Sequence, residues 1–180
     1  MSTTFAEDIA LPMFPNRQIS VAVFKDVTNA SEIHRQIISL NKEYDYAFID
    51  AGIIVCRQQL FAAIIRALRD QQDGLTKTKT IHSEIILSLC PRTEISTAFR
   101  NFGISKKSTS LVIVKVGASA AEIGPKLRTM VEGTPIAFSQ AELDKLVVRK
   151  QLVKNYKLDA SKPDTHTSCV LAAIALRGYN

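Results

Sequence analysis

The chain has 180 residues, 46% of them apolar and 22% charged, enough for one domain with a real core. Its 23 basic and 17 acidic side chains give a formal net charge of +6, and no apolar run reaches the roughly 18 residues of a membrane span. Cys56, Cys90 and Cys169 are odd in number, widely spaced and without a Cys-x-x-Cys pair. That excludes a disulfide scaffold and reads as reduced core thiols in a cytosolic or nuclear protein.

The opening "MSTTFAEDIALPMFPNRQ" lacks a basic region ahead of an apolar stretch, so it does not read as a secretory signal. Residues 1–15 are expected to be a flexible tail, and 16–180 a single domain. "QISVAVFKDV" alternates with β-branched residues and predicts a strand. A helix follows in "NASEIHRQIISLN", with Asn29 or Ser31 as cap and Ile33, Ile37, Ile38 and Leu40 as its stripe. "YAFIDAGIIV" is a short apolar stretch interrupted by Asp50 and Gly52. The clearest helix is "RQQLFAAIIRALRDQQDG", where Leu60, Ile64 and Leu68 recur every four residues and Gly74 lies past the end.

The linker "LTKTKTIH" leads to residues 83–90, which read as a second strand stopped by Pro91. Thr93 can cap a helix over 94–102 that Gly103 closes. "STSLVIVKVG" predicts a third strand. Helices are expected in "AAEIGPKLRTMVEG" and "SQAELDKLVVRKQLVKNYK", the latter opened by Ser139 and Glu142 at capping-box spacing. The last helix, "TSCVLAAIALRG", ends at Gly178. This order predicts an α+β fold, a small and mainly antiparallel sheet of three or so strands packed by about seven or eight helices.

No catalytic kit is visible. The chain lacks G-x-G-x-x-G, the P-loop pattern and H-E-x-x-H, and its serines and histidines have no nucleophile-elbow context. The cysteines with His34, His82 and His166 offer no ligand pair at zinc spacing, so neither a metal nor a cofactor is expected. Asp50 or Glu84 could serve a small enzyme as a general base; each also reads as a carboxylate satisfying backbone amides at a turn.

Two features are sharper. From Cys169 to Leu176 every residue is apolar, so the last helix is either buried all round or meets a partner. The other feature is the charge distribution. Residues 1–56 carry 4 basic and 7 acidic side chains, residues 57–107 carry 9 and 4, and residues 108–180 carry 10 and 6. Within the basic middle third, the amides of 94–96 would open a helix, where an anion is welcome. Arg92 sits at that mouth and Lys77 and Lys79 on the linker before it. Alone, this turn needs no further role; in its charge context it becomes a candidate RNA-contacting edge.

"VAVFKDVTNASEIHRQI", "YAFID", "SEIILSLCPRTEISTAFRNFGI" and "AIALRG" resemble, in this order, the Cgi/TPRKB family of KEOPS (EKC) complex subunits. The resemblance covers about residues 16–178 and is most specific from Ile95 to Ile104. It implies a non-catalytic subunit of a complex that installs threonylcarbamoyl on an adenosine beside the tRNA anticodon. The direct partner would be a small atypical kinase/ATPase subunit, with the threonylcarbamoyl transferase subunit in the same complex but not in contact. The family's kinase contact maps onto Val170, Leu171, Ile174 and Arg177. Its hold on the tRNA acceptor end maps onto Pro91, Arg92, Thr93 and Ile95, with Lys77 and Lys79 nearby. The resemblance further implies residence in nucleus and cytoplasm and a tie to telomere maintenance. A rival reading is a pure activator of the kinase subunit with no RNA site.

Overall fold

The computed structural model describes residues 5–178. Among these, five strands form one antiparallel sheet: β1 (Glu7–Asp8), β2 (Ile19–Lys25), β3 (Ala47–Asp50), β4 (Leu111–Val116) and β5 (Thr134–Ile136). β2 pairs with β4 from Ile19 opposite Val116 to Phe24 opposite Leu111, and β3 lies on the far side of β4. β1 and β5 share the remaining edge of β2. The stretch "YAFIDAGIIV" resolves into β3 and a 3₁₀ turn over Ala51–Ile53.

Alternation of side chains sends β2 and β4 residues to both faces, and both faces are covered. Val21, Val23, Ile49, Val112 and Val114 face the larger core. Ala22, Phe24, Phe48, Leu111 and Ile113 face the smaller one. Helices α1 (Ala30–Ile38) and α5 (Ala120–Met130) cover the smaller face with Ile33, Ile123 and Leu127. On the larger face α2 (Arg57–Gln72) and α3 (Ile81–Leu89) form the main layer, joined by α4 (Ile95–Phe102), α6 (Gln140–Leu146), α7 (Arg149–Tyr156) and α8 (His166–Ala175).

The sequence expectations need four corrections. Residues 83–90 are not a strand but most of α3. Every residue from Glu84 to Leu89 is buried, because α3 is clamped between the sheet, α2 and α4. A short apolar run buried all round carries no period by which helix and strand can be told apart. Thr80 starts the helix, its Oγ1 accepting the Ser83 amide at 3.1 Å.

Residues 5–11 are part of the fold rather than of a flexible tail; residues 1–4 lie outside the described residues. Ile9 and Leu11 are buried in the larger core, and Phe5 meets Phe24 edge-on at 5.2 Å. The Glu7 carboxylate pairs with Arg57 at 2.7 Å, and Asp8 accepts the first amide of α5 at 2.7 Å. The third correction concerns "SQAELDKLVVRKQLVKNYK", which is two helices. The Val148 amide leaves the helical ladder to bond Gly52 O at 2.8 Å, and the chain turns there. The stripe of α1 also ends early: Ile38 and Leu40 are exposed, and Leu40 has a positive φ of 58°.

Candidate functional site

Both carboxylates considered for catalysis are committed to structure. Glu84 is fully buried, and one oxygen accepts the amides of Lys77 and Thr78 at 3.1 and 2.9 Å and the Thr78 hydroxyl at 2.6 Å. It ties the linker down onto α3. Asp50 accepts the Gly52 amide at 2.9 Å through one oxygen and the Ser108 hydroxyl at 2.7 Å through the other. His82 is equally engaged. Its Nε2 accepts the Val116 amide at 3.0 Å, so Nδ1 carries the proton and donates to Asp45 at 2.8 Å. Burial, only partly offset by Asp45, pushes the His82 pKa down.

The expected RNA edge is rearranged by the helix. Lys77 and Lys79 are exposed just before α3, whereas Pro91, Arg92 and Thr93 follow its far end. A nine-residue helix separates the two groups by about 13 Å along its axis. Glu94, not Thr93, is the N-cap of α4, and Ser96 Oγ donates to its carboxylate at 3.0 Å. Hydrogen bonds from Thr97 and Ser96 hold that carboxylate below its usual range, so an anion of the chain's own already sits over the first turn. Ile95 remains exposed, one turn before Phe99.

Phe99 lines a cavity of about 540 Å³ that sequence reasoning did not find. Its floor is Tyr46 and Phe48 at the sheet edge; Ile37 of α1, Ile86 of α3 and Phe99 of α4 form the walls. His34, Arg100 and Lys106 are its basic lining residues, and His34 Nδ1 is buried without a hydrogen-bond partner. Gly103 lets this wall close: a Cβ there would lie 2.8 Å from the Phe99 carbonyl, where the chain leaves α4 to bridge Ile49. The signal for the cavity was present in Phe99, Arg100 and Lys106. Only the tertiary fold brings α1 opposite them.

The last helix is neither free nor swallowed. α8 packs on α2 with Val170 and Ile174, both essentially inaccessible. Arg177, 4% exposed, donates to Leu87 O at 2.7 Å and Asp70 at 3.2 Å, and Arg66 reaches its carbonyl at 3.0 Å. Burial and the neighbouring Arg66 lower the Arg177 pKa against the pull of Asp70 and Glu84. Three of the four side chains assigned to a partner therefore face inward, and Leu171 is half-buried. The outward face is Cys169, Ala172, Ala175 and Leu176, the last 55% exposed. Cys56 and Cys90 are buried as expected of core thiols, whereas Cys169 is not.

Among the described residues no helix is long and apolar enough to cross a membrane, and no three His, Cys, Asp or Glu gather as a metal site would. Comparison with known proteins adds the family. A family model described as "Kinase binding protein CGI-121" matches residues 24–178. The chain belongs to the CGI-121 family. The EKC/KEOPS complex subunit cgi121 of Schizosaccharomyces pombe is 50% identical over 172 residues, covering 94% of this chain and 99% of that protein. The protein of the same name from Aspergillus fumigatus is 35% identical over 182 residues, covering 96% of each. In Coccidioides immitis the corresponding subunit is 37% identical over 151 residues, 82% of this chain and 73% of that one. The CGI-121 match thus spans the sheet from Phe24, the cavity and α8 together.

Proposed function

We propose that this protein is the kinase-binding subunit of a KEOPS/EKC complex and serves tRNA threonylcarbamoyl modification as a non-catalytic tether. The observation that carries the reading is α8. Its inner face is locked by Val170, Ile174 and Arg177, which leaves an apolar outer face in a family described as kinase-binding. Apolar helix faces exposed at this length mark contact surfaces. The small atypical kinase/ATPase subunit docks on Cys169, Ala172, Leu176 and the edge of Leu171. The transferase subunit belongs to the same complex without touching this chain, which works in nucleus and cytoplasm and serves telomere maintenance there.

The second contact is the unpaired acceptor end of tRNA. Unpaired nucleotides suit an apolar, aromatic-lined cavity with basic flanks, because stacking and phosphate contacts need no duplex groove. The cavity of Tyr46, Phe48 and Phe99, with Arg100 and Lys106 beside them, has that character. Ile95 and the Pro91–Thr93 turn form its approach, and Arg92, Lys77 and Lys79 are outlying phosphate contacts.

Capture of the purified kinase subunit by the full-length chain tests the first contact. Ala172→Asp and Leu176→Asp are expected to abolish capture while the protein stays folded by circular dichroism. Capture by both folded variants at wild-type strength overturns the docking face. For RNA, Phe99→Ala and removal of the tRNA's terminal unpaired nucleotides should each weaken binding at least tenfold. Reversing Arg92, Lys77 and Lys79 to glutamate should weaken it further and flatten its salt dependence. If trimmed and whole tRNA bind alike, the acceptor-end site is wrong.

A further inference from the structure

Three helical cations in this molecule are paired on their own helix. Arg35 of α1 meets Glu32 at 2.6 Å, Arg66 of α2 meets Asp70 at 3.3 Å, and Lys145 of α6 meets Glu142 at 2.9 Å. α7, like α4 with Arg100 and α5 with Lys126 and Arg128, has no such pair among the described residues. It carries Arg149, Lys150 and Lys154, and Lys157 ends it in a left-handed conformation at φ 54°. All four are exposed, and none forms an ion pair among the described residues. From Lys145 to Leu158 the chain holds no aspartate or glutamate.

Local electrostatics favours only half of that arrangement: Lys154 in the last turn and Lys157 at the C-cap suit the negative end of the helix dipole. Arg149 and Lys150 stand in the first turn, where the helix dipole disfavours cations, and Val148 provides no side-chain cap. Lys150 with Lys154, and Lys154 with Lys157, lie at spacings where like charges repel across a helix face. The helix is held from its other side. Leu152 and Tyr156 are buried, the Tyr156 hydroxyl donates to Leu89 O at 2.7 Å, and Asn155 reaches Asn101 O of α4 at 2.8 Å. A short, internally repelling helix is thus pinned to the core and presents its cations outward. Helical periodicity puts Lys150, Lys154 and Lys157 on one side of it, over about 10 Å of axis.

The setting indicates the partner. Across α4 from α7 lies the aromatic cavity, and Lys106 lines it. The next residue, Lys107, lines a separate cleft of about 460 Å³ together with Lys145 and Gln151 of the α6–α7 region. That cleft also carries Asp26, Asp50 and Glu142, the last paired with Lys145, so Lys106 and Lys107 are the cations that lead from the cavity towards α7. The aromatic residue of α7, Tyr156, is buried, and Val153 beside Lys150 and Lys157 is half-buried, so the exposed face offers no stacking platform and little apolar anchor for a protein interface. Point charges without side-chain fit suit a phosphate backbone.

We propose that the outer face of α7 is a second RNA contact, which holds the backbone of the base-paired stem adjoining the unpaired end in the cavity. It rests on the tRNA reading given above, and it assigns paired and unpaired RNA to different surfaces of one small domain. The stem lies across Lys150, Lys154 and Lys157, and the strand end crosses the Lys106–Lys107 turn to reach Phe99.

The test uses the full-length chain and its Lys150→Ala/Lys154→Ala/Lys157→Ala variant, with affinities measured by fluorescence anisotropy over a salt series. The probes are whole tRNA, tRNA lacking its terminal unpaired nucleotides, and a short single-stranded oligonucleotide of the acceptor-end sequence. The variant should fold as the parent does. With whole tRNA its log–log salt slope should fall by roughly 2 to 3, on the scale of about 0.9 per phosphate contact measured for duplex DNA. Its affinity for the oligonucleotide should not change. An unchanged slope with whole tRNA, while trimming still weakens binding, overturns the α7 contact and leaves the acceptor-end reading standing. A flattened slope with trimmed and whole tRNA bound alike does the reverse. Loss of kinase-subunit capture with unchanged tRNA binding makes the partner an acidic protein surface and overturns the proposal.

Discussion

At the residue scale, the buried charged groups that could have been chemistry are fasteners. Glu84 holds three donors from a linker that has no apolar anchor of its own. Charge-assisted hydrogen bonds of this kind carry about 1.5–3 kcal/mol, and donors left unpaired cost more. Glu84→Ala should therefore lower stability by about 3 kcal/mol in urea unfolding, and proteolysis should then nick the chain between residues 74 and 80. His82 makes a pH prediction. Its folded pKa is depressed, so below the unfolded value of about 6.5 the unfolded chain binds a proton that the folded chain refuses. Stability is complete above that pH and is lost as pH falls below it. The charged groups facing this ring are Asp45, which opposes the shift, and Lys115, which adds to it. The urea midpoint of the parent should fall on going from pH 7 to 5.5, and a folded His82→Gln variant should lose that component. A pH-independent difference between parent and variant would remove His82 as the cause. Glu84 and Asp50 were legible as turn carboxylates; the donors they hold were not, since those depend on where the chain returns.

At the element scale, α8 shows the limit of a pattern made of one residue class. Eight consecutive apolar positions announce a helix with unusual surroundings, but they carry no phase, so the inward side cannot be read from them. Packing on α2 chose Val170 and Ile174 as the inward side. That choice separates two substitutions that look alike in sequence. Ile174→Asp buries a carboxylate in the larger core and should unfold the protein or cost more than about 3 kcal/mol. Leu176→Asp places one in solvent and should leave the urea midpoint within about 0.5 kcal/mol of the parent. Equal effects of the two on stability would mean that α8 is buried on both sides. α3 was lost for the related reason that burial on every side erases the helical period, whereas α2, with a polar side at Gln58, Arg69 and Gln72, was legible throughout.

At the scale of the whole molecule, the N-terminal segment closes both cores at once. Ile9 and Leu11 enter the larger core, and Phe5 enters the smaller beside Phe24. Replacing Ile9 and Leu11 together by alanine should cost about 4 kcal/mol, since truncating each buried aliphatic side chain typically costs 2–5 kcal/mol and both sit at the margin of their core. Chemical denaturation reads this directly; a flexible tail would give no change.

The sequence by itself determined the class of fold and two of its strands, because β2 and β4 carry β-branched runs whose preference needs no tertiary partner. It likewise determined α2 from its stripe, and the family from the order of its motifs. The tertiary structure alone decided the rest. The cavity exists because α1, α3 and α4 converge on the edge strand β3 from positions up to 72 residues apart, as with His34 and Lys106. Which side of α8 is free depends on α2, more than a hundred residues earlier in the chain. Local pattern encodes how much of an element is apolar and with what period; it does not encode which other element will cover it, and a binding surface is what remains uncovered.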